Sequence, residues 1–157
     1  MYKRQVYHFA GVADIDEAQT RPMDTIELNI LATMRIAEAC LQHHVKRFVY
    51  ASTVYVYSKS GGFYRCSKQA AEEYLHCYGA QRGLPYTILR YGTVYGGRAT
   101  VQNSLQRYLH QALHEGCIDY AGDGSEMREY IHVDDAARGS VDILTADFVN
   151  ELSLIHI

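Results

Sequence analysis

The chain has 157 residues, about one domain, with 48% hydrophobic residues and a formal net charge of -3 at pH 7. That balance suits a globular core and offers no basic surface to a nucleic acid. No apolar run is long enough to span a bilayer, and no signal-peptide core is visible at the amino end. Cys40, Cys66, Cys77 and Cys117 form no CxxC pair and read as free thiols of a cytoplasmic protein, with no metal centre expected.

Taken in order, Gln5 to Ala10 reads as a buried strand ending at Gly11. His8 at its end reads as a packed core histidine. Pro22 opens a helix that runs to about His43, with Ile26, Ile30, Met34, Ala37 and Leu41 at helical spacing. His43 and His44 read as its solvated end. Val45 to Ala51 is the next strand, and its unbroken apolar run predicts cover on both faces. The polar loop Ser58 to Gly62 leads into a helix carrying Ser67, Ala71, Tyr74 and Tyr78 as a stripe, with Gly83 as its stop. Tyr86 to Arg90 is a third strand. A helix covers about Val101 to His114, Gly122-Asp123-Gly124 makes a turn, and Glu129 to His132 is a short strand. The last helix starts near Val133, with Asp134 and Asp135 in its first turn and Ala136, Ala137, Ser140, Val141 and Leu144 as its core face. Strands alternating with long helices predict an α/β fold with a parallel sheet, whose ligands sit at the carboxyl ends of the strands.

Tyr64 and Lys68 are one helical turn apart and share a face. A Lys ammonium beside a phenol favours the phenolate, which predicts a lowered Tyr64 pKa and a base for an alcohol hydroxyl. The same two residues also fit an ordinary solvated helix. Thr53 ends the strand before them. Thr53 also fits a plain strand end, Asn29 a helix hydrogen-bond satisfier, and Arg128 a surface charge.

The ordered segments Val6 to Gly11, Leu28 to Thr33 around Asn29, Val45 to Thr53, Tyr64 to Lys68, Leu89 to Gly96 and Arg128 to Asp135 resemble the extended short-chain dehydrogenase/reductases. The likeness is to the NAD-dependent nucleotide-sugar epimerase/dehydratase group, close to UDP-glucose 4-epimerases. It implies a partial Rossmann-like doubly wound parallel sheet, its first βαβ half missing, followed by the start of a small substrate domain. Residues 1–116 would be the carboxyl half of the dinucleotide domain and 117–151 the start of the substrate region. In this reading Tyr64 is the general base and acid, and Lys68 binds the nicotinamide ribose. Thr53 holds the reacting hydroxyl. Phe9, Ala10, Gly11, Asn29 and Tyr91 line the cofactor, NAD or NADP. Thr93 and Arg128 meet the nucleotide sugar, Arg128 at its diphosphate. The reaction implied is oxidation at C4 to a keto sugar followed by re-reduction. Alternatives are an oxidoreductase of the same family and a non-catalytic fragment unable to bind cofactor. Family members commonly dimerise through helices matching Pro22–His43 and the Tyr64 helix, so a homodimer is expected.

Three departures matter. Thr53 is followed by Val54 and Tyr55, where the dehydratases carry Asp-Glu, which favours an epimerase. Thr93 stands where the family has Asn, and the link from Thr53 to Tyr64 is unusually short. No Gly-rich strand-turn-helix fingerprint appears. The resemblance therefore implies an amino-truncated piece that binds NAD weakly, with a bare, aggregation-prone edge on its first strand. Residues 152–157 do not continue the family pattern. Their back-translation resembles a transposase-adapter sequence from DNA library preparation, so they are read as a non-native tail outside the fold.

Overall fold

The computed structural model describes residues 5–100, 102–120, 122–144 and 148–155. Its main sheet has the order β1-β2-β3-β6, all parallel: β1 Gln5–His8, β2 Arg47–Thr53, β3 Tyr86–Tyr91 and β6 Glu151–Ile155. A second pair, β4 Thr93–Tyr95 and β5 Tyr130–His132, is also parallel. Parallel neighbours need crossovers, and long helices supply them.

Side chains on β2 and β3 divide by alternation. Phe48, Tyr50 and Ile88 pack with Ala37, Cys40, Leu75 and Leu84 on one face. Val49 and Leu89 pack with Ile131, Ala136 and Ile143 on the other. Cover on both faces, as expected, explains why these strands lack an apolar-polar alternation. β2 starts at Arg47 rather than Val45. Arg47 is itself buried, and its Nη1 donates to Thr87 Oγ1 (2.9 Å) and the Ile143 carbonyl (3.1 Å).

The crossover from β1 to β2 is α1 (Ile15–Thr20), capped by Asp14, and then a continuous helical run. That run is α2 (Pro22–Asp24), a π-helical segment (Thr25–Leu31) and α3 (Ala32–Gln42). The wider π turns, bonded i to i+5, rotate the inward face away from a simple helical stripe. Thr25, Asn29, Thr33 and Ala37 are buried, whereas Ile26 is 47% exposed. The expected stripe through Ile26 and Ile30 is corrected accordingly.

Two glycines with positive φ, Gly61 and Gly62, turn the chain into α4 (Gly62–Arg82), and Gly83 ends it in the left-handed conformation. Its buried face is Tyr64, Ser67, Lys68, Ala71, Glu72 and Leu75. Tyr74 is exposed rather than part of the stripe, and half-buried Tyr78 donates to Glu38 Oε1 at 2.8 Å. α5 (Ser104–His114) begins later than expected because Asn103 caps it, its Oδ1 accepting from Leu105 N and Gln106 N. The Val101 part of that expectation lies outside the described residues. α6 (Val133–Asp142) buries Ala136 and Ser140, with Ile143 just beyond, but leaves Ala137 and Val141 exposed. Those two face a cleft rather than the core.

The expected exclusion from the fold is corrected for residues 152–155. Leu152 to Ile155 continue β6, in register with Ile88 to Tyr91. Parallel pairing uses backbone groups, so an extended segment can complete the β3 edge without a family-like sequence. His156 and Ile157 lie outside the described residues. At the other edge, β1 pairs with β2 alone among the described strands.

Candidate active site

Thr53 closes β2 beside Tyr91, its register partner on β3. The chain then makes a 3-10 turn, Val54–Tyr57, and Thr53 Oγ1 caps that turn by accepting from Tyr55 N. The short link is tied down by α4 itself. Arg65 Nη1 donates to the Ser58 carbonyl (2.8 Å), and Gln69 Nε2 to the Val56 carbonyl (2.8 Å). This folding-back brings Tyr64 and Lys68 to the carboxyl end of β2, where Thr53 already stands.

Tyr64 is 9% exposed, with Tyr55 edge-on at 6.4 Å between ring centroids. Burial raises its pKa, while the Thr53 hydroxyl pulls it down by favouring the phenolate and Tyr55 adds a further rise. The expectation that Lys68 holds this phenol down is not met. Lys68 Nζ lies 5.9 Å from the Tyr64 ring centroid, sits over the Tyr50 ring at 4.8 Å and donates to the Ala51 carbonyl at 2.9 Å. Desolvation dominates both groups. It lowers the Lys68 ammonium from 10.5 to about 8, with the Glu72 carboxylate pulling the other way.

A cleft of about 550 Å³ opens over these residues. Ala51, Ser52, Tyr64 and Lys68 line it from β2 and α4, with an aromatic wall of Tyr7, Phe9 and Tyr91 beside Val94 and α6. The aromatic wall is knitted by Ser140: Tyr7 Oη donates to its carbonyl (2.9 Å), and Tyr91 Oη and Ser140 Oγ are 2.6 Å apart. Phe9 stacks on Tyr7 at 6.0 Å. Ser52 Oγ is buried with no hydrogen-bond partner among the described residues. A flat apolar cleft with an unused hydroxyl and a buried ammonium fits a nicotinamide ring and its ribose.

The remaining expected residues fall in three places. Ala10 and Gly11 line a separate groove with His8, Val12 and Leu28. Asn29 is 1% exposed and lines neither that groove nor the cleft. Its Oδ1 accepts from Val12 N (2.8 Å), and its Nδ2 donates to the Val12 carbonyl (3.0 Å) and to Ser67 Oγ (2.9 Å). So Asn29 does not line the cleft; it pins the loop after β1 to α4. Gly11 is required beside it, since a Cβ there, at φ +149, would stand 2.4 Å from Asn29 Oδ1. Thr93 and Arg128 meet in a second cavity of about 510 Å³ with Val54, Tyr55, Tyr57 and Glu129. Neighbouring residues of β4, Thr93 and Val94, line the two openings. His8 is packed as expected, with Nε2 2.9 Å from Thr33 Oγ1 and its pKa lowered by burial and by Lys68. Ser52 stands at a strand end where ligands are expected, whereas Tyr7 and Ser140 had no assigned role; only the alternation of Tyr7 and Phe9 on one strand face hinted at the wall.

A parallel α/β sheet with a Tyr-x-x-x-Lys helix and a Thr-ended strand at one rim defines the short-chain dehydrogenase/reductase class of scaffold. The chain belongs to the NAD dependent epimerase/dehydratase family, whose family model matches residues 4–152. It is 30% identical over 149 residues to the UDP-glucuronate 4-epimerase of Thermodesulfobacterium geofontis, covering 87% of this chain and 46% of that protein. An uncharacterized UDP-glucose epimerase of Bacillus subtilis is 32% identical over 128 residues, 74% of this chain and 40% of that one. The crystal structure of UDP-glucuronic acid 4-epimerase from Bacillus cereus, in complex with UDP-glucuronic acid and NAD, superposes with a TM-score of 0.87 at 28% identity. That superposition covers 98% of this chain and 54% of the other. The chain thus spans about half the length of the relatives it matches. No helix among the described residues is long and apolar enough to cross a membrane.

Proposed function

We propose that this chain carries the proton-transfer half of an NAD-dependent nucleotide-sugar 4-epimerase, an isomerase. The observation that carries this reading is Tyr64 and Lys68 lining one cleft beside an aromatic wall, with the Thr53 hydroxyl bonded to Tyr64 at its edge. Relatives with these names and a neighbour holding UDP-glucuronic acid and NAD support it.

In this reading the nicotinamide lies in the cleft against Tyr7, Phe9 and Tyr91, and Lys68 and Ser52 hold its ribose. NAD, when bound, supplies the hydride acceptor and donor and a positive ring that favours a nearby phenolate. The chain supplies the rest. Thr53 orients the C4 hydroxyl, Tyr64 Oη takes its proton, and the same oxygen returns a proton once the sugar presents its other face. Water is kept out by the apolar walls. Thr93 and Arg128 hold the nucleotide diphosphate across the second cavity, the guanidinium matching paired phosphate oxygens. Val54 and Tyr55 follow Thr53 where the dehydratases carry Asp-Glu; the carboxylates of that cavity, Glu126 and Glu129, come from another segment. The chemistry therefore stops at C4 inversion and does not proceed to loss of water.

The free thiols, Cys40 buried and Cys66, Cys77 and Cys117 exposed, suit the cytoplasm. Met23, Ile26, Leu28, Leu31 and Tyr74 leave an apolar face on the helices beside the site, all more than 40% exposed. That face is assigned to a homodimer contact.

The test is direct. The chain is supplied with millimolar NAD and UDP-glucose, and the anomeric proton signals are followed by NMR. Appearance of UDP-galactose without NADH accumulation is the expected result. Stoichiometric NADH would instead favour an oxidoreductase of the same family. Absence of both products would overturn the assignment of a working half-site to this chain.

A further inference from the structure

Bonded to Tyr57, a lining residue of the second cavity, is a charged pair that the reaction itself does not use. Glu72 is on α4, one turn beyond Lys68, with its side chain 3% exposed. Its carboxylate is gripped by Arg90 of β3 in a fork, with Nε donating to Oε1 at 3.0 Å and Nη2 to Oε2. Nη1 of the same guanidinium donates to Tyr57 Oη, and the guanidinium carbon stands 4.5 Å from the Tyr57 ring centroid. Tyr57 is the last residue of the turn after Thr53, is 62% exposed and lines the cavity that contains Arg128.

Each part of this arrangement needs a reason. A buried ion pair costs desolvation that its own attraction roughly offsets, so it is better explained by the geometry it fixes than by stability. Arg90 can hold Glu72 and Tyr57 together because its fork is planar and carries five donors. A tyrosine on an exposed turn otherwise samples several rotamers, and immobilising it on binding would cost affinity. Here its ring is already braced by a cation whose other arms are anchored in the core.

We propose that Tyr57 is a specificity-determining residue that contacts the bound nucleotide sugar, and that Arg90 and Glu72 are the positioning residues that hold its ring in place. This rests on the nucleotide-sugar reading above. The ring offers a flat face to the apolar face of a hexose in the cavity that Arg128 also lines, so a sugar with that face free fits best. The same clamp ties the sugar-side wall to the helix of Tyr64 and Lys68, so the two sides of the site keep one spacing.

The test uses the full chain and UDP-glucose, with binding read by saturation-transfer NMR, which reports affinities into the millimolar range. Tyr57→Ala is expected to weaken binding about tenfold and Tyr57→Phe about twofold or less, since the ring carries the contact. Arg90→Lys keeps a charge for Glu72 but cannot span both partners, and is expected to weaken binding toward the Tyr57→Ala value. The double change Glu72→Gln with Arg90→Met, which leaves no unpaired charge, should do the same with an unchanged circular dichroism spectrum. The natural chain has no tryptophan, so Tyr57→Trp adds a single reporter whose emission should shift on titration with UDP-glucose. Full-strength binding by Tyr57→Ala overturns the contact. Full-strength binding by both Arg90 variants overturns the clamp. A natural chain that binds no UDP-glucose overturns the nucleotide-sugar reading, and the proposal with it.

Discussion

Tyr64→Phe is expected to lower the epimerisation rate by about a thousandfold, the usual scale for deleting a positioned acid-base group. The change removes one oxygen and keeps the ring. Tyr64 is 9% exposed and packs edge-on against Tyr55, contacts that phenylalanine reproduces. What is lost is the partner of the Thr53 hydroxyl, about 1 kcal/mol of stability. Fold and activity should therefore separate, with the thermal midpoint moving by only a few degrees while turnover collapses. The pH profile should separate them too. Burial raises the Tyr64 pKa, so at pH 7 the phenol is the resting form. Turnover of the natural chain should then climb with pH above neutrality, and the variant's residual rate should lack that limb. Retention of more than a tenth of the rate by Tyr64→Phe would move the proton transfer to another group.

Lys68→Met is expected to destroy activity and stabilise the fold. Lys68 is 6% exposed, and burial holds its ammonium at about 8, against 10.5 in the unfolded chain. The shift of about 2.5 pH units corresponds to about 3 kcal/mol opposing folding wherever both states are charged. Loss of the bond to the Ala51 carbonyl takes back about 1 kcal/mol, leaving about 2. The sign with pH follows from proton counts. Below about 8 both states hold the proton and the penalty is complete. Between about 8 and 10.5 the folded chain holds fewer protons than the unfolded one, so stability of the natural chain rises with pH there. Urea midpoints at pH 7 and pH 9.5 should therefore differ more between variant and natural chain at pH 7. A variant less stable than the natural chain at pH 7 would show that packing around Lys68, rather than desolvation, dominates.

These two residues also show what local pattern carries. Tyr64 and Lys68 are one turn apart, and a helix places them on one face whatever surrounds them. The strand that ends at Thr53 is equally local. Hence the gathering of Thr53, Tyr64 and Lys68 at one sheet rim was legible in the chain. Their acidities were not, because desolvation depends on what closes over them: Tyr55, Tyr50 and the Ala51 carbonyl arrive from other elements. The inward face of residues 22–42 was misplaced for a different reason. A π segment changes the residue spacing per turn, and nothing in Thr25 to Leu31 announces it. The Glu72–Arg90 pair was invisible because its members come from different elements and meet only when β3 lies beside β2.

The strand order carries a consequence for the order of assembly. β1, β2 and β3 are joined by single crossovers, whereas β6 reaches β3 only after a long excursion, with Asn150 N donating to the Tyr86 carbonyl. Closing a larger loop costs more chain entropy before any contact repays it. The β2-α4-β3 unit, which holds Thr53, Tyr64 and Lys68, should form first and β6 should dock last. Pulse-labelled hydrogen exchange during refolding would read that sequence. Amides of β2 should be protected before those of β6, and the reverse order would show that the outer strand templates the centre.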